Sequence, residues 1–539
     1  MRSVSGKSVF NGIAIGKLYH FRNLNEIIKM EIVENTEEEF LRIENALIIA
    51  KQEMKGLYNK ALELTSEEEA SIFEIHEMLL EDDDFLDSIK ININEERYNA
   101  EYSVYKTGIE FEEMFTSMDD EYMQARAADI KDISRCLIRI LSGAKSQQEL
   151  TEPVIIYADD LTPSETVRMN KNFLLGFITK GGSVNSHTAI LARTIGIPAL
   201  VGVKIEESWN GLTGAINGYD GILYIEPDIG TMDKLQILRK KAEDERKAQK
   251  KLILLPSITI DGKEIEIFAN AGNEYDVKLA AQNGAEGIGL FRTEFLYLET
   301  GRLPTEEEQF TIYKSIAEIM GGKKVIIRTL DIGADKQVSY LGLDKEENPA
   351  LGYRAIRICL TQEDIFRTQL RAILRASVYG KIAVMFPMII SLNELRDAKR
   401  ILEECKVKLI SSGFVLADIE IGIMIETPAA VMIADELAKE VDFFSIGTND
   451  LTQYTLAIDR QNQKLEPFYD SHHPAIIRMI EMTIDSGHRN GCWVGICGEL
   501  ASDLSLTETF LSMGIDELSV SPNLVLPLRQ KIRETNLEG

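Results

Sequence analysis

The segment Glu420-Ile-Gly-Ile-Met-Ile-Glu-Thr-Pro428 is an apolar run that ends abruptly at a carboxylate, a threonine and a proline. Short apolar runs with such boundaries are typical of strands that are buried on both faces. The run Asp442–Gly447 has the same character and is followed by Asn449 and Asp450. A buried strand that ends in polar residues therefore occurs at least twice in succession.

Eight runs of this kind alternate with helical stretches in the second half of the chain. We predict strands at Glu264–Ala269, Gly287–Phe291, Val325–Thr329, Ala383–Met388, Glu420–Ile425, Asp442–Gly447, Trp493–Cys497 and Glu517–Val520. Eight strands that alternate with helices indicate a (β/α)8 barrel, and a large doubly wound sheet is the alternative. We favour the barrel because polar residues follow the strand ends, which a barrel gathers on one face.

The first half of the chain contains segments with different patterns. Residues 1–21 are typical of a short β segment, whereas residues 22–142 have apolar residues at spacings of three and four, which predict a helical bundle. Residues 143–227 return to an α/β pattern, and residues 228–254 predict a charged linker helix. We expect a multidomain α/β protein in which a helical bundle is inserted in a small α/β domain, followed by a (β/α)8 barrel at residues 255–539.

Composition and charge exclude several classes of protein. The 539 residues carry 59 basic and 87 acidic side chains, a net charge of −28, so we expect no nucleic-acid partner. Between Glu31 and Asp120 there are 26 acidic and 7 basic residues, which indicate either a solvated helical face or a docking surface for a small basic protein. The sequence has no apolar stretch suited to membrane insertion and no signal peptide, and its five cysteines are scattered. We expect a cytoplasmic protein.

A glycine-rich turn places one histidine at the start of a predicted helix. The stretch Gly181-Gly-Ser-Val-Asn-Ser-His187-Thr-Ala-Ile-Leu-Ala-Arg193 follows a predicted buried strand at Phe173–Ile178. Ser186 is a suitable N-cap, and a helix N-terminus stabilises anionic groups. Because neutral imidazole is abundant and nucleophilic near neutral pH, His187 is a candidate to carry a phosphoryl group. A core-facing histidine without chemistry is the alternative.

Three arginines near predicted strand ends indicate an anion site. Arg292 follows Gly-Leu-Phe, Arg328 follows Ile-Ile, and Arg460 ends the segment Ala-Ile-Asp-Arg460. Guanidinium groups bind phosphate and carboxylate oxygens bidentately. One arginine at a strand end usually forms a salt bridge, but three on one face favour anion binding.

Two carboxylates and a thiol complete the candidate site. Glu426 and Asp450 follow consecutive strands, and two carboxylates within a phosphate site are the usual protein ligands of Mg²⁺. Pairing of these carboxylates with the arginines is the alternative. Cys497 follows the seventh strand, where a protonated thiol could act as a general acid, although a buried cysteine is usually only a small apolar residue.

In this order along the chain, these residues resemble the enzyme I family of the bacterial phosphotransferase system, the phosphoenolpyruvate–protein phosphotransferases. The resemblance covers nearly the whole chain, with motifs at Phe115–Tyr122, Gly181–Arg193, Gly287–Leu296, Asn348–Gly352, Gly422–Ala430, Asp442–Arg460 and Cys497–Ala501. The wider group includes pyruvate phosphate dikinase and phosphoenolpyruvate synthase, which add a large nucleotide-binding domain. A phosphoenolpyruvate synthase-like enzyme that lacks its nucleotide domain is therefore one alternative.

The resemblance implies a role for each candidate residue. His187 would accept the phosphoryl group, and Cys497 would protonate C3 of the enolate so that pyruvate is released. Glu426 and Asp450 would bind Mg²⁺. The residues implied to bind phosphoenolpyruvate are Arg292, Arg328, Asn449, Asp450 and Arg460.

The resemblance also implies partners and domain roles. Residues 1–21 with 143–227 would form the phosphohistidine domain, and residues 22–142 would bind the carrier protein HPr, whose histidine takes the phosphoryl group next in sugar uptake. Residues 255–539 would bind phosphoenolpyruvate and form a homodimer. The family usually continues into a further helical hairpin beyond Gly539, which would leave the barrel domain truncated. A phosphoenolpyruvate-sensing docking protein without catalysis is the alternative from a different class.

Overall fold

The computed structural model describes most of the chain. The described residues are 1–21, 28–62, 70–117, 121–143, 150, 152–181, 189, 192, 196–298, 302–333, 339–344, 346–460 and 462–538. The chain forms two compact units, Met1–Glu245 and Arg246–Gly539. Every helix among the described residues is too short or too polar to cross a membrane.

Within the described residues, an eight-stranded sheet forms the α/β part of the first unit. Its order is β1-β8-β7-β3-β4-β5-β6-β2, and the strands are β1 (Arg2–Ser5), β2 (Lys7–Phe10), β3 (Ile13–His20), β4 (Val154–Ala158), β5 (Leu174–Thr179), β6 (Ala199–Val201), β7 (Thr213–Asn217) and β8 (Ile222–Ile225). Strands β3 to β6 run parallel, and the other pairs are antiparallel. Because β3 pairs with β4 across more than a hundred residues, the sheet is assembled from two distant parts of the chain.

Helices fill the segment between β3 and β4. They are Thr36–Leu62, Ile72–Leu79, Asp83–Asn94, Ala100–Thr116 and Glu121–Leu141. Their apolar faces meet in a core of their own, which includes Met54, Phe85, Ile89 and Leu137. This arrangement confirms the predicted helical bundle inserted in an α/β domain. The first unit also contains the helix Pro163–Arg168, and the charged helix Ile229–Lys250, of which Leu235 is the buried residue, follows the sheet.

The second unit contains a closed barrel of parallel strands. Each strand pairs with the next, and the last pairs with the first. The strands are β9 (Glu266–Ala271), β10 (Gly287–Phe291), β11 (Lys324–Arg328), β12 (Lys381–Phe386), β13 (Glu420–Ile425), β14 (Phe443–Ile446), β15 (Trp493–Ile496) and β16 (Glu517–Val520). All eight overlap the predicted runs, so the barrel is confirmed and the doubly wound sheet is wrong.

Alternate residues of the barrel strands face opposite sides, as strand geometry requires. On β14 and β15, Phe444, Ile446, Val494 and Ile496 belong to the core formed with the surrounding helices. The interior core comprises Phe268, Leu290, Ile326, Ala383, Met385, Met424, Phe443 and Cys497. Helices of this unit are Glu274–Gln282, Glu294–Leu298, Glu306–Met320, Ile356–Thr361, Glu363–Ala376, Leu392–Ser411, Pro428–Met432, Ala434–Leu437, Thr448–Leu456, Pro474–Arg489, Thr507–Met513 and Val525–Glu534.

Candidate functional site

A cavity of about 1110 Å³ lies at the carboxyl ends of the barrel strands. This is the face on which barrel enzymes gather their catalytic groups. All seven residues that the sequence analysis placed at strand ends line it: Arg292, Arg328, Glu426, Asn449, Asp450, Arg460 and Cys497.

Local structure at two strand ends explains how three of these side chains reach the cavity. β13 ends at Ile425, and the Thr427 side chain caps the helix Pro428–Met432, so the chain turns immediately after Glu426. After β14, the helix Thr448–Leu456 carries Asn449 and Asp450 in its first turn. A carboxylate is favourable at this end of a helix because of the helix dipole.

Arg328 is held between two carboxylates. Its Nη2 donates to Glu294 Oε1 at 2.7 Å, and its Nη1 lies 2.8 Å from Asp331 Oδ2. Burial alone would lower the pKa of Arg328, but the charges of Glu294 and Asp331 outweigh this effect and raise it. Arg328 is therefore a fixed positive charge at the base of the cavity.

Asp331 extends this network to a fourth arginine. Its Oδ1 accepts a hydrogen bond from Arg354 Nη2 at 2.9 Å. Burial would raise the pKa of Asp331, but Arg328 and Arg354 together lower it. Glu294 differs, since its burial raises its pKa despite the contact with Arg328.

The other two predicted arginines are more accessible. Arg292 is exposed in the cavity and has no ion-pair partner among the residues that the structure describes. Its surroundings lower its pKa through partial desolvation, and the like charge of Arg328 adds to this effect. The Nη2 atom of Arg460 lies 3.6 Å from Asp450 Oδ1. Both guanidinium groups can thus face an incoming anion.

Glu426 lies in a cluster of carboxylates. Its side chain is buried, and Oε1 accepts a hydrogen bond from the Met388 backbone N–H at 2.6 Å. Burial raises the pKa of Glu426 well above its usual range, and the nearby charges of Asp331 and Asp450 raise it further. Such repulsion between carboxylates would be relieved by a divalent cation.

The described residues contain no group of three or more histidine, cysteine, aspartate or glutamate side chains arranged to hold a metal ion. The predicted ligands, Glu426 and Asp450, are only two side chains and so do not form a group of three. A two-carboxylate site is typical of Mg²⁺ only when water and substrate oxygens supply the remaining ligands.

Asn449 is oriented by Glu499 from the next strand end. Its Nδ2 donates to Glu499 Oε1 at 3.0 Å, and its Oδ1 accepts from the Glu499 backbone N–H at 3.0 Å. The amide is therefore fixed at the rim of the cavity.

Cys497 lies at the end of β15 with its side chain facing the barrel interior and the cavity. It is 4% exposed, and its thiol contacts the Ile446 carbonyl oxygen at 3.7 Å. Burial raises the pKa of Cys497 to about 12, although the Ser445 hydroxyl opposes this. The thiol is therefore protonated at neutral pH, the state that a general acid needs.

His187 lies outside the described residues. The strand that leads to it, β5, ends at Thr179, whose hydroxyl donates to the Gly181 carbonyl at 2.8 Å. The Gly181 backbone N–H donates to Asp159 at 2.8 Å, and Ala189 and Ala192 are buried. The predicted strand before the turn is confirmed, while the position of the imidazole stays a prediction.

Known families match three successive parts of the chain. Residues 5–126 match the N-terminal region of PEP-utilising enzymes, residues 150–232 their mobile domain and residues 246–537 their PEP-binding domain.

Similar proteins match nearly the full length. The phosphoenolpyruvate-protein phosphotransferase of Geobacillus stearothermophilus is 46% identical over 538 residues, covering 99% of this chain and 93% of that protein. The proteins of the same name from Bacillus subtilis and Staphylococcus carnosus are 43% and 42% identical, each covering 99% of this chain and 94% of the relative.

The chain belongs to the phosphoenolpyruvate-protein phosphotransferase family. This membership makes it an enzyme and confirms the resemblance that the sequence motifs indicated. The relatives are also consistent with a metal-dependent reaction.

Six charged residues that line the cavity were not among the predicted site residues. They are Glu294, Asp331, Glu347, Arg354, Asp459 and Glu499. Glu294 lies two residues after Arg292, and Asp331 lies three residues after Arg328. A carboxylate this close to an arginine at a strand end was the sequence signal that could have predicted both residues. Arg354 lies outside the strands, and no spacing in the sequence connects it with Asp331.

Proposed function

We propose that this chain transfers the phosphoryl group of phosphoenolpyruvate to its own His187 and then to a histidine of the carrier protein HPr. Pyruvate is released, and the transfer is the first step of phosphotransferase-system sugar uptake. The observation that carries the proposal is the convergence of the seven predicted barrel residues on one cavity.

The arginines account for substrate binding. Arg292 and Arg460 face the cavity with charge available for an anion, while Arg328 is fixed by Glu294 and Asp331. Guanidinium groups match both the phosphate and the carboxylate of phosphoenolpyruvate. Asn449, held by Glu499, adds an oriented amide at the rim.

Glu426 and Asp450 would hold Mg²⁺. Burial raises the pKa of Glu426, and the charges of Asp331 and Asp450 raise it further; a cation bound between Glu426 and Asp450 would remove this repulsion. The ion would neutralise charge on the phosphoryl oxygens.

His187 and Cys497 share the bond changes. Neutral His187 attacks phosphorus, the bond from phosphorus to the enolate oxygen breaks, and the electron pair leaves with the enolate. The Cys497 thiol gives its proton to C3, which forms the methyl group of pyruvate. A thiol with a pKa of about 12 retains its proton until this strongly basic carbon appears.

The partners and the division of labour belong to the same proposal. Residues 1–21 with 143–227 carry His187, residues 228–254 link this part to the barrel, and residues 255–539 bind phosphoenolpyruvate and dimerise. HPr docks on the helical segment, residues 22–142, whose charge excess of 26 acidic over 7 basic residues between positions 31 and 120 suits a basic partner. The reaction takes place in the cytoplasm.

Incubation with phosphoenolpyruvate, Mg²⁺ and HPr tests the proposal. We expect acid-labile phosphate on His187, pyruvate in the medium and phosphorylated HPr, and none of these with His187→Ala. Phosphoenolpyruvate binding without phosphohistidine or pyruvate would instead identify a sensor that does not catalyse transfer.

A further inference from the structure

A loop that follows β11, residues 346–354, forms one wall of the cavity, and we call it the rim loop. Both carboxylate oxygens of Glu346 accept hydrogen bonds from the Tyr353 backbone N–H, at 2.9 and 3.2 Å. Arg357 Nη1 donates to the Gly352 carbonyl oxygen at 2.7 Å. The loop therefore has a defined shape of its own, but these bonds do not attach it to the barrel strands.

Tyr454 joins the rim loop to another part of the cavity. It lies on the helix Thr448–Leu456, one turn after Asp450, and its hydroxyl donates to the Ala350 carbonyl oxygen at 2.5 Å. Among the described residues, the other hydrogen bonds of residues 347–353 stay within residues 346–361. The Tyr454 hydroxyl is therefore the hydrogen-bonding group that holds the middle of the loop against this helix.

The same hydroxyl adjoins the segment that supports Glu426. Tyr454 Oη lies 3.9 Å from Met388 Sδ, and the Met388 backbone N–H donates to Glu426 Oε1 at 2.6 Å. Burial raises the pKa of Tyr454 to about 12, although Arg354 opposes this, so the hydroxyl retains the proton that it donates. Segments that follow three different barrel strands, β11, β12 and β14, thus meet at one phenol group.

The backbone beside these contacts is strained. Ala355, directly after the rim loop, has a φ of 52°, and Met388 has a φ of 57°. Residues with a Cβ atom rarely adopt positive φ and keep it only where the surrounding structure holds them. The Ala355 N–H donates to the Ile332 carbonyl oxygen at 3.0 Å, which secures the end of the loop. The bond from Tyr454 secures its middle.

We propose that Tyr454 is a positioning residue for phosphoenolpyruvate, because its hydroxyl fixes the rim loop against the helix that carries Asp450. The proposal rests on the proposed function, in which this cavity binds phosphoenolpyruvate. Arg354 ends the loop and donates to Asp331 at 2.9 Å, and Asp331 also holds Arg328. A loop that is already fixed reduces the ordering that binding requires.

Loss of the hydroxyl should lower the fraction of molecules in which the rim loop is in place. The apparent affinity for substrate falls in proportion to that fraction. The Ala350 carbonyl oxygen would also lose its hydrogen-bond donor. Because Tyr454 acts on the loop and not on the reacting atoms, the rate of the chemical step should change little once substrate is bound.

The variant Tyr454→Phe, which removes the hydroxyl and keeps the ring, tests the proposal. KM for phosphoenolpyruvate should rise about tenfold, which corresponds to about 1.4 kcal/mol, while kcat changes little. Calorimetric titration with phosphoenolpyruvate in a His187→Ala background, where no transfer occurs, should show the same weakening. Tyr379→Phe is the matched control, because Tyr379 directly precedes β12 at the opposite end of the barrel, and it should leave KM unchanged.

Hydrogen exchange gives a readout that does not depend on activity. The backbone N–H groups of Leu351 and Gly352, which donate to carbonyl oxygens within the rim loop, should exchange about tenfold faster in Tyr454→Phe and unchanged in Tyr379→Phe. Tyr454→Leu, which also removes the ring, should weaken binding little beyond Tyr454→Phe.

Three results would overturn the role of the hydroxyl and leave the proposed function intact. They are an unchanged KM in Tyr454→Phe, a loss of kcat in place of a rise in KM, and weaker binding in Tyr454→Leu alone, which would indicate packing of the ring. An unmodified protein that binds phosphoenolpyruvate without forming pyruvate would overturn the proposed function alone, since calorimetry still measures the effect of Tyr454→Phe. Absence of phosphoenolpyruvate binding would overturn both.

Discussion

Arg328 shows how a charged side chain can be prepared for a substrate before the substrate arrives. Glu294 and Asp331 occupy both ends of its guanidinium group, and the side chain is 11% exposed. Its Nε has no partner within the described ranges. Since the group is already fixed, little reorganisation is needed when an anion binds, which is the condition for strong electrostatic stabilisation.

Replacement of Arg328 by lysine should therefore affect stability as well as binding. A single ammonium cannot reproduce the two contacts, and one buried carboxylate would lose its partner. We expect the free energy of unfolding to fall by about 3–5 kcal/mol, the usual cost of breaking a buried ion pair, with weaker phosphoenolpyruvate binding. Denaturant unfolding and calorimetry measure the two effects. Arg302→Lys, which alters an exposed ion pair with Glu308, is the control. If the free energy of unfolding fell by a similarly small amount in both variants, the argument would be contradicted.

Loss of the Cys497 thiol should slow catalysis and leave substrate binding nearly unchanged. In Cys497→Ala the enolate would lack its proton donor, so kcat for pyruvate formation should decrease about 100-fold or more, with little change in KM. Cys405→Ala removes another buried thiol, which faces the helices around the barrel, and should retain activity. A Cys497→Ala protein with normal pyruvate formation would exclude the thiol as the acid.

Secondary-structure elements differ in how well the sequence predicts them. The barrel strands are apolar runs because both faces are buried, and for this reason each was recognisable. Strand β7, Thr213–Asn217, was not predicted because it is short and contains glycine, and one of its two partners, β3, lies far away in the sequence. The same limit applies to the site, where strand ends predicted Arg328 but could not reveal that Arg354 shares Asp331 with it.

The short helix Pro163–Arg168 joins the sheet of the first unit to the helical bundle. Its Ser164 N–H donates to Asp132 at 2.9 Å, and its Arg168 pairs with Glu53 at 2.7 Å. Glu165 completes a capping box with Thr162 and lies 3.8 Å from Arg135. The helix is therefore tied to the bundle by several charged contacts.

The burial of Glu165 in this helix predicts that the stability of the protein depends on pH. Burial raises the pKa of Glu165 from 4.5 to about 6, and Arg135 opposes the change. Because the folded protein then binds the proton more tightly than the unfolded chain, stability should decrease by about 2 kcal/mol as pH rises from about 4.5 to about 6. Glu165→Gln should lack this decrease in chemical unfolding measured across that interval. Glu152→Gln, at an exposed pair with Lys17, should keep it, and identical profiles for all three proteins would refute the assignment.

On the scale of the whole molecule, the two compact units have separate cores, and the proposed function gives them separate chemistry. The cores of the bundle and of the sheet consist of residues from the first unit alone, and those of the barrel from the second alone. All seven predicted barrel residues belong to the second unit, and His187 to the first. Each unit therefore buries enough apolar surface to be a candidate for independent folding.

A fragment of residues 1–255 should consequently perform only half of the reaction. It retains His187 and the acidic helical segment, so we expect it to gain acid-labile phosphate from phosphorylated HPr. It lacks the arginines and Cys497, so phosphoenolpyruvate should neither phosphorylate it nor yield pyruvate. Intact mass measurement after each incubation distinguishes the two donors, with the His187→Ala fragment as the control. Phosphoryl transfer from phosphoenolpyruvate depends on positive charge placed around the phosphate, and in this protein the barrel cavity supplies that charge. Phosphorylation of the fragment by phosphoenolpyruvate would therefore show that the barrel cavity is not the site at which phosphoenolpyruvate is used.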